Sequence, residues 1–115
     1  MSRSTREYLL HIQAECEFLI LESASVDVIE FHKDPLRQRA FIRSIEIIGE
    51  ATKMIPDEIT GTHPEIQWKQ LARMRDKLIH QYFGVDLEIV WNLTVEIIPE
   101  LQKAIQIMLV EMSAQ

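Results

Sequence analysis

Apolar residues recur at spacings of three and four along most of this chain, the period of an amphipathic helix. The first helix runs from about residue 5 to residue 23, with Leu9, Ile12, Cys16 and Leu19 as its stripe and Phe18 and Ile20 widening it. Cys16 lies on that stripe, so a buried core thiol is expected rather than a reactive one. Ser25 can cap a short turn through Phe31, with Asp27 near the positive end of its dipole. Asp34-Pro35 is a stronger start signal, a capping carboxylate followed by proline at the first helical position. The second long helix runs from there to about Met54 and stops before Pro56. Phe41, Ile45, Ile48, Ala51 and Ile55 form one face of it, and Ile42, Ile47 and Met54 extend that face sideways. A helix so apolar around its circumference belongs at the centre, packed on two neighbours. Glu50, after Gly49, is either an exposed edge residue or the buried partner of a cation from another helix; spacing favours exposure.

Pro56, Gly61 and Pro64 mark residues 56–64 as the longest irregular connection, short enough to be an intradomain loop. A third helix begins between Pro64 and Trp68 and ends at Phe83-Gly84, where glycine can take the left-handed conformation. Asp86 caps a fourth helix from Leu87, with Leu87, Val90, Trp91, Thr94 and Val95 facing inward. Pro99 interrupts that pattern. An interior proline costs about 3 kcal/mol, so a kink or break is expected near residues 97–99. A last helix then carries Leu101, Ala104, Ile105, Met108 and Met112, and the five methionines fit core positions or this C-terminal helix. The pattern as a whole is that of an all-α, antiparallel bundle of four or five helices.

Composition narrows this picture. A chain of 115 residues is expected to form one domain, and 47% apolar residues is ordinary for a globular fold. Three glycines and four prolines leave little turn chemistry for a many-stranded β fold. One cysteine cannot make an intrachain disulfide or a Cys-pair zinc site. No apolar run approaches transmembrane length, and the first residues lead straight into an amphipathic segment, so a cytoplasmic protein away from membranes is expected. The net charge of −6 disfavours general nucleic-acid binding, which rests on neutralising phosphates. The exception is residues 68–80, where Lys69, Arg73, Arg75 and Lys77 against Asp76 give +3 and leave −9 for the remainder. Such a basic cluster is also the ordinary look of a solvated helix face.

The third helix departs from its own pattern. Trp68, Leu71, Arg75, Leu78 and Tyr82 share one stripe, so Arg75 stands where an apolar residue is due. Its stem can pack while the guanidinium reaches out or pairs with a carboxylate such as Glu50, or the intrusion can be functional. Lys69, Arg73, Asp76, Lys77 and His80 share the other face. Asp76 and His80 are four apart, so the carboxylate can orient the imidazole, and a C-terminal position favours imidazolium. Arg75 and His80, five apart, point about 140° away from one another on an ideal helix. Either the arginine reaches around, or a second copy of the helix completes the site. His11, His32 and His63 lie in different elements without metal-ligand spacing, and glycine loops for phosphate are absent.

Arg75-Asp76-Lys77-Leu78-Ile79-His80-Gln81-Tyr82 resembles the R-x4-H-x-Y signature of HepT-like toxins in the HEPN superfamily. Similarity extends from Arg39-Ala40 through Ile47-Ile48-Gly49-Glu50-Ala51, to Ile66-Gln67-Trp68, to the stretch from Tyr82 to Trp91, and to Pro99-Glu100-Leu101. The resemblance implies a HEPN-like bundle forming a homodimer with both motifs at a shared cleft. It implies metal-independent RNA cleavage needing no cofactor, with Arg75 and His80 as the catalytic pair and Asp76 orienting the histidine. Relatives often carry Asn after the arginine; Asp76 here puts negative charge beside a phosphate. Lys69, Arg73 and Lys77 would bind the RNA backbone, and Glu50 would give structural support. Tyr82, which spacing reads as a packed aromatic, would in the family accept AMP from a minimal nucleotidyltransferase antitoxin. Two alternatives stand beside the nuclease: a non-enzymatic helical partner or substrate-binding subunit of a nucleotidyltransferase, and an interaction bundle whose R-x4-H is structural.

Overall fold

A computed structural model describes residues 4–80 and 86–113; for residues 79 and 80 it describes the backbone alone. Every regular element among them is helical: α1 Thr5–Ala24, α2 Val28–His32, α3 Pro35–Lys53, α4 Asp57–Thr60, α5 Trp68–His80, α6 Leu87–Asn92 and α7 Ile98–Ser113, with a π-helical turn Leu93–Ile97 between the last two. Helices α1, α2, α3 and α6 start where a side chain satisfies free backbone N–H groups. The Ser4 hydroxyl accepts from the Glu7 N–H at 3.2 Å, and Asp34 Oδ1 accepts from the Arg37 N–H at 3.1 Å beside Pro35. Asp86 Oδ1 accepts from the Glu88 N–H at 3.0 Å. The expected end of α5 at Phe83-Gly84 lies outside the described residues.

Several local expectations differ from the structure. Ser25 does not cap α2: its hydroxyl and its N–H both donate to the Glu22 carbonyl, closing α1. Asp27 is the cap, accepting from the Glu30 N–H at 2.8 Å, because its extended backbone sits directly before the first helical residue. Residues 56–64 are not wholly irregular. Pro56 leads into α4, where Asp57 and Glu58 lie at the positive end of the helix dipole. The interruption expected near residues 97–99 takes the form of a π turn, Leu93–Ile97, just ahead of Pro99. The turn widens the helix, with the Ile98 N–H donating to the Leu93 carbonyl, and the proline enters at the second position of α7. The extra residue in that turn also rotates the inner face. Thr94 is buried, its hydroxyl donating to the Val90 carbonyl at 2.9 Å, whereas Val95, expected inside, is exposed and Leu93 takes its place. Met54, at the C-terminal cap of α3, is likewise exposed.

The core is built as the apolar stripes require. Leu9, Ile12, Cys16 and Leu19 of α1 meet Phe41, Ile45 and Ile48 of α3 and Leu101, Ile105 and Met108 of α7, all buried. Helix α3 lies between α1 and α5, and α1 lies between α3 and α7. Arg6 at the start of α1 donates to the Ser113 hydroxyl at the end of α7, so these two helices run antiparallel. Phe31 stacks on Phe41 and Trp91, with ring centroids 5.0 and 5.2 Å away, and so ties α2 to α3 and α6. Helix α5 is thereby held on one side of the central helix with its basic face outward.

Candidate active site on the α3–α5 seam

Gly49 makes this seam possible. A Cβ at that position would stand 2.5 Å from the Arg75 Cβ and 2.8 Å from the Leu71 carbonyl oxygen, so any side chain would force the helices apart. Leu71 and Leu78 bury themselves on either side of Arg75. The arginine keeps its place in the apolar stripe by laying its stem against the backbone of α3, while the guanidinium, with the side chain 29% exposed, emerges at the rim. There its Nη1 donates to Asp76 Oδ1 at 3.0 Å and its Nη2 lies 3.6 Å from Glu50 Oε2. Glu50 is therefore both exposed, as spacing favoured, and the partner of a cation from another helix.

Asp76 has a second partner that the sequence does not announce. Lys53 Nζ, from the last turn of α3, donates to the same Oδ1 at 2.9 Å. The Lys53 hydrogen bond, and after it that of Arg75, hold the Asp76 carboxyl below the usual carboxylate range. Four charges thus alternate across the seam: Glu50, Arg75, Asp76, Lys53. Both cations use Oδ1, so neither consumes Oδ2. The imidazole of His80, the last residue of α5, lies outside the described residues, as does Tyr82. The missed residue is Lys53. Its only signal in the sequence is indirect: a lone glycine inside a helix marks a close approach, and Lys53 follows Gly49 by four residues, one turn further along that face.

Lys69, Arg73 and Lys77 are exposed along α5 at intervals of four, one column of cations on its outer face. Lys69 and Arg73 also line an open cleft of about 580 Å³ with Gly61, Ile66 and Trp68. The Trp68 indole N–H donates to the His63 carbonyl at 3.0 Å, which fixes the start of α5 against the preceding loop. His63 itself is buried, with Nδ1 3.1 Å from Glu65 Oε1 and Nε2 3.7 Å from Glu111 Oε1, a link between that loop and α7. Among the described residues no three His, Cys, Asp or Glu side chains converge as a metal site would require. None of the described helices is long and apolar enough to cross a membrane.

An all-helical bundle that carries R-x4-H-x-Y from its third long helix has the marks of a HEPN-superfamily protein. The chain belongs to the HepT-like ribonuclease family, whose model, Ribonuclease HepT-like, matches residues 7–108. It is 49% identical over 104 residues to a protein of Caldanaerobacter subterraneus subsp. tengcongensis provisionally named an RNase, covering 90% of this chain and 93% of that one. It is 45% identical over 102 residues to a Thermococcus cleftensis protein provisionally named ribonuclease HepT, covering 89% and 93%. A Methanocaldococcus jannaschii protein, also provisionally named an RNase, is 38% identical over 104 residues, covering 90% and 86%. No solved structure matches the chain.

Proposed function

We propose that this chain is a cytoplasmic, toxin-type, metal-independent endoribonuclease that acts as a homodimer, with Arg75 and His80 at a cleft shared by two copies. The observation that carries the reading is the placement of Arg75, its stem packed over Gly49 and its guanidinium delivered to an open rim beside a column of cations. The stripe calls for an apolar side chain at that position, and the chain instead brings a cation to the rim.

In this reading Lys69, Arg73 and Lys77 hold the RNA backbone through its phosphates. One His80 removes the proton of a 2′-hydroxyl, whose oxygen then bonds to the adjacent phosphorus while the bond to the 5′-oxygen breaks. The other His80 protonates that leaving oxygen. Arg75 stabilises the charge that builds on the phosphoryl oxygens. Asp76 orients His80. The products are a 2′,3′-cyclic phosphate and a 5′-hydroxyl, and DNA, lacking the nucleophile, is inert. A minimal nucleotidyltransferase antitoxin silences the enzyme by transferring AMP from ATP to Tyr82, whose phenolic oxygen gives up its proton and bonds to the α-phosphorus as pyrophosphate leaves, so that the added phosphate repels RNA.

The test is digestion of RNA in EDTA by the purified chain. Wild type should cleave, and His80→Ala and Arg75→Ala should each lose roughly 10²- to 10⁴-fold while remaining folded dimers. Cleavage surviving His80→Ala removes that residue from the chemistry. No cleavage by wild type favours a non-enzymatic partner of the nucleotidyltransferase.

A further inference from the structure

The carboxylate beside Arg75 poses a problem for any site that must take a phosphate. Asp76 lies next to the guanidinium in sequence and 3.0 Å from it in space, where a fixed anion competes with the incoming one. It also adds negative charge where phosphate oxygens must come. Lys53 answers both difficulties. Its ammonium reaches the same carboxylate oxygen from the opposite helix at 2.9 Å, so the charge of Asp76 is already shared between two cations. Lys53 sits in the last turn of α3, where the helix dipole favours a cation. It follows by four residues, one helical turn, the Gly49 position where α5 approaches closely and Arg75 is seated. Glu50, the other anion near Arg75, is a weaker competitor, at 3.6 Å and with 65% of its side chain exposed.

We propose that Lys53 is a positioning residue of the RNA site: it holds the Asp76 carboxylate as the guanidinium of Arg75 leaves it for a substrate phosphate. The proposal rests on the ribonuclease reading and names a device that reading does not contain. When phosphate binds, Arg75 exchanges one anionic partner for another. Asp76 keeps Lys53 as its partner and does not become a bare charge facing the RNA. Among the described residues, the carboxylate without Lys53 has Arg75 as its remaining cation and holds it back.

A mutant cycle tests this directly. Wild type, Lys53→Met, Lys53→Arg, Asp76→Asn and the Lys53→Met/Asp76→Asn double variant are compared in cleavage of a short RNA. Their affinity is measured for the same strand carrying 2′-O-methyl groups, which binds without reacting. Lys53→Met should raise both KM and the Kd of the analogue about tenfold with kcat little changed, and Lys53→Arg should restore most of that loss. In the Asp76→Asn background, where no carboxylate needs holding, the same change should cost no more than about twofold. An equal loss in both backgrounds overturns the proposal, since Lys53 would then contact RNA on its own account. So does a Lys53→Met variant that binds like wild type, or one whose loss is matched by a fall in melting temperature that Asp76→Asn does not relieve. Wild type that binds the analogue but leaves RNA intact overturns the ribonuclease reading alone, and Lys53 is then judged on the binding cycle. Wild type that binds no RNA overturns both.

Discussion

Gly49 and Arg75 depend on one another. The glycine leaves room for the arginine stem, and the stem fills a stripe position that would otherwise need an apolar side chain. On helix propensity alone Gly49→Ala should stabilise α3 by about 1 kcal/mol. The contacts at 2.5 and 2.8 Å reverse that sign, because backbone and a Cβ must move. The substitution should therefore destabilise the fold by about 1–3 kcal/mol in urea titration, as overpacking does. Activity should fall further than stability, because Arg75 rides on the displaced helix. Asp76 gives a pH signature. Its carboxyl is held low by Lys53 and Arg75, so it binds protons less readily folded than unfolded. That contribution is complete above the ordinary Asp value near pH 4 and is lost as pH falls through the lower folded value. Asp76→Asn should consequently lose less stability than wild type as pH falls below the ordinary Asp value. Parallel acid limbs in the two proteins would show that the pairing contributes nothing.

At the scale of the elements, capping decides where helices begin. Asp34→Ala removes the acceptor for the Arg37 N–H and the ion pair to its guanidinium at 2.9 Å. A loss of about 1 kcal/mol is expected in thermal unfolding, most of it from the cap. The start of α3 was plain in the sequence because capping residue and proline coincide. Ser25 and Asp27 were harder to separate, since both can cap and only the backbone conformation selects Asp27. Helix α4 was hidden by prolines and a glycine that usually mark loops. The π turn was invisible for a physical reason: an inserted residue shifts the apolar face within one turn, and Val95 still fits the unshifted pattern. In the candidate site Arg75 was legible because it violates its stripe. Lys53 was not, since nothing along α3 requires a partner; only the approach of α5 over a glycine brings the two charges together.

For the whole molecule the decisive question is how many copies make a site. The 140° between positions 75 and 80 on one helix separates two groups that the proposed mechanism brings to one phosphate. If two copies share the cleft, mixing wild type with a refolded excess of His80→Ala subunits should depress activity per wild-type chain as heterodimers form. Independent subunits would leave it unchanged. The bundle itself offers a means of watching such mixtures. Cys16 is the sole sulfhydryl of the chain and is fully buried in α1, with its pKa pushed up to about 12 by burial, and less by Glu15 and Glu17. The thiolate is the nucleophile that attacks a thiol reagent, so the buried, protonated Cys16 of the folded state offers such reagents little to react with. Modification therefore requires an opening of the bundle, and at reagent concentrations where reaction outpaces reclosing, the rate at which a chromogenic disulfide is consumed becomes a stopwatch for its breathing, with no label to introduce.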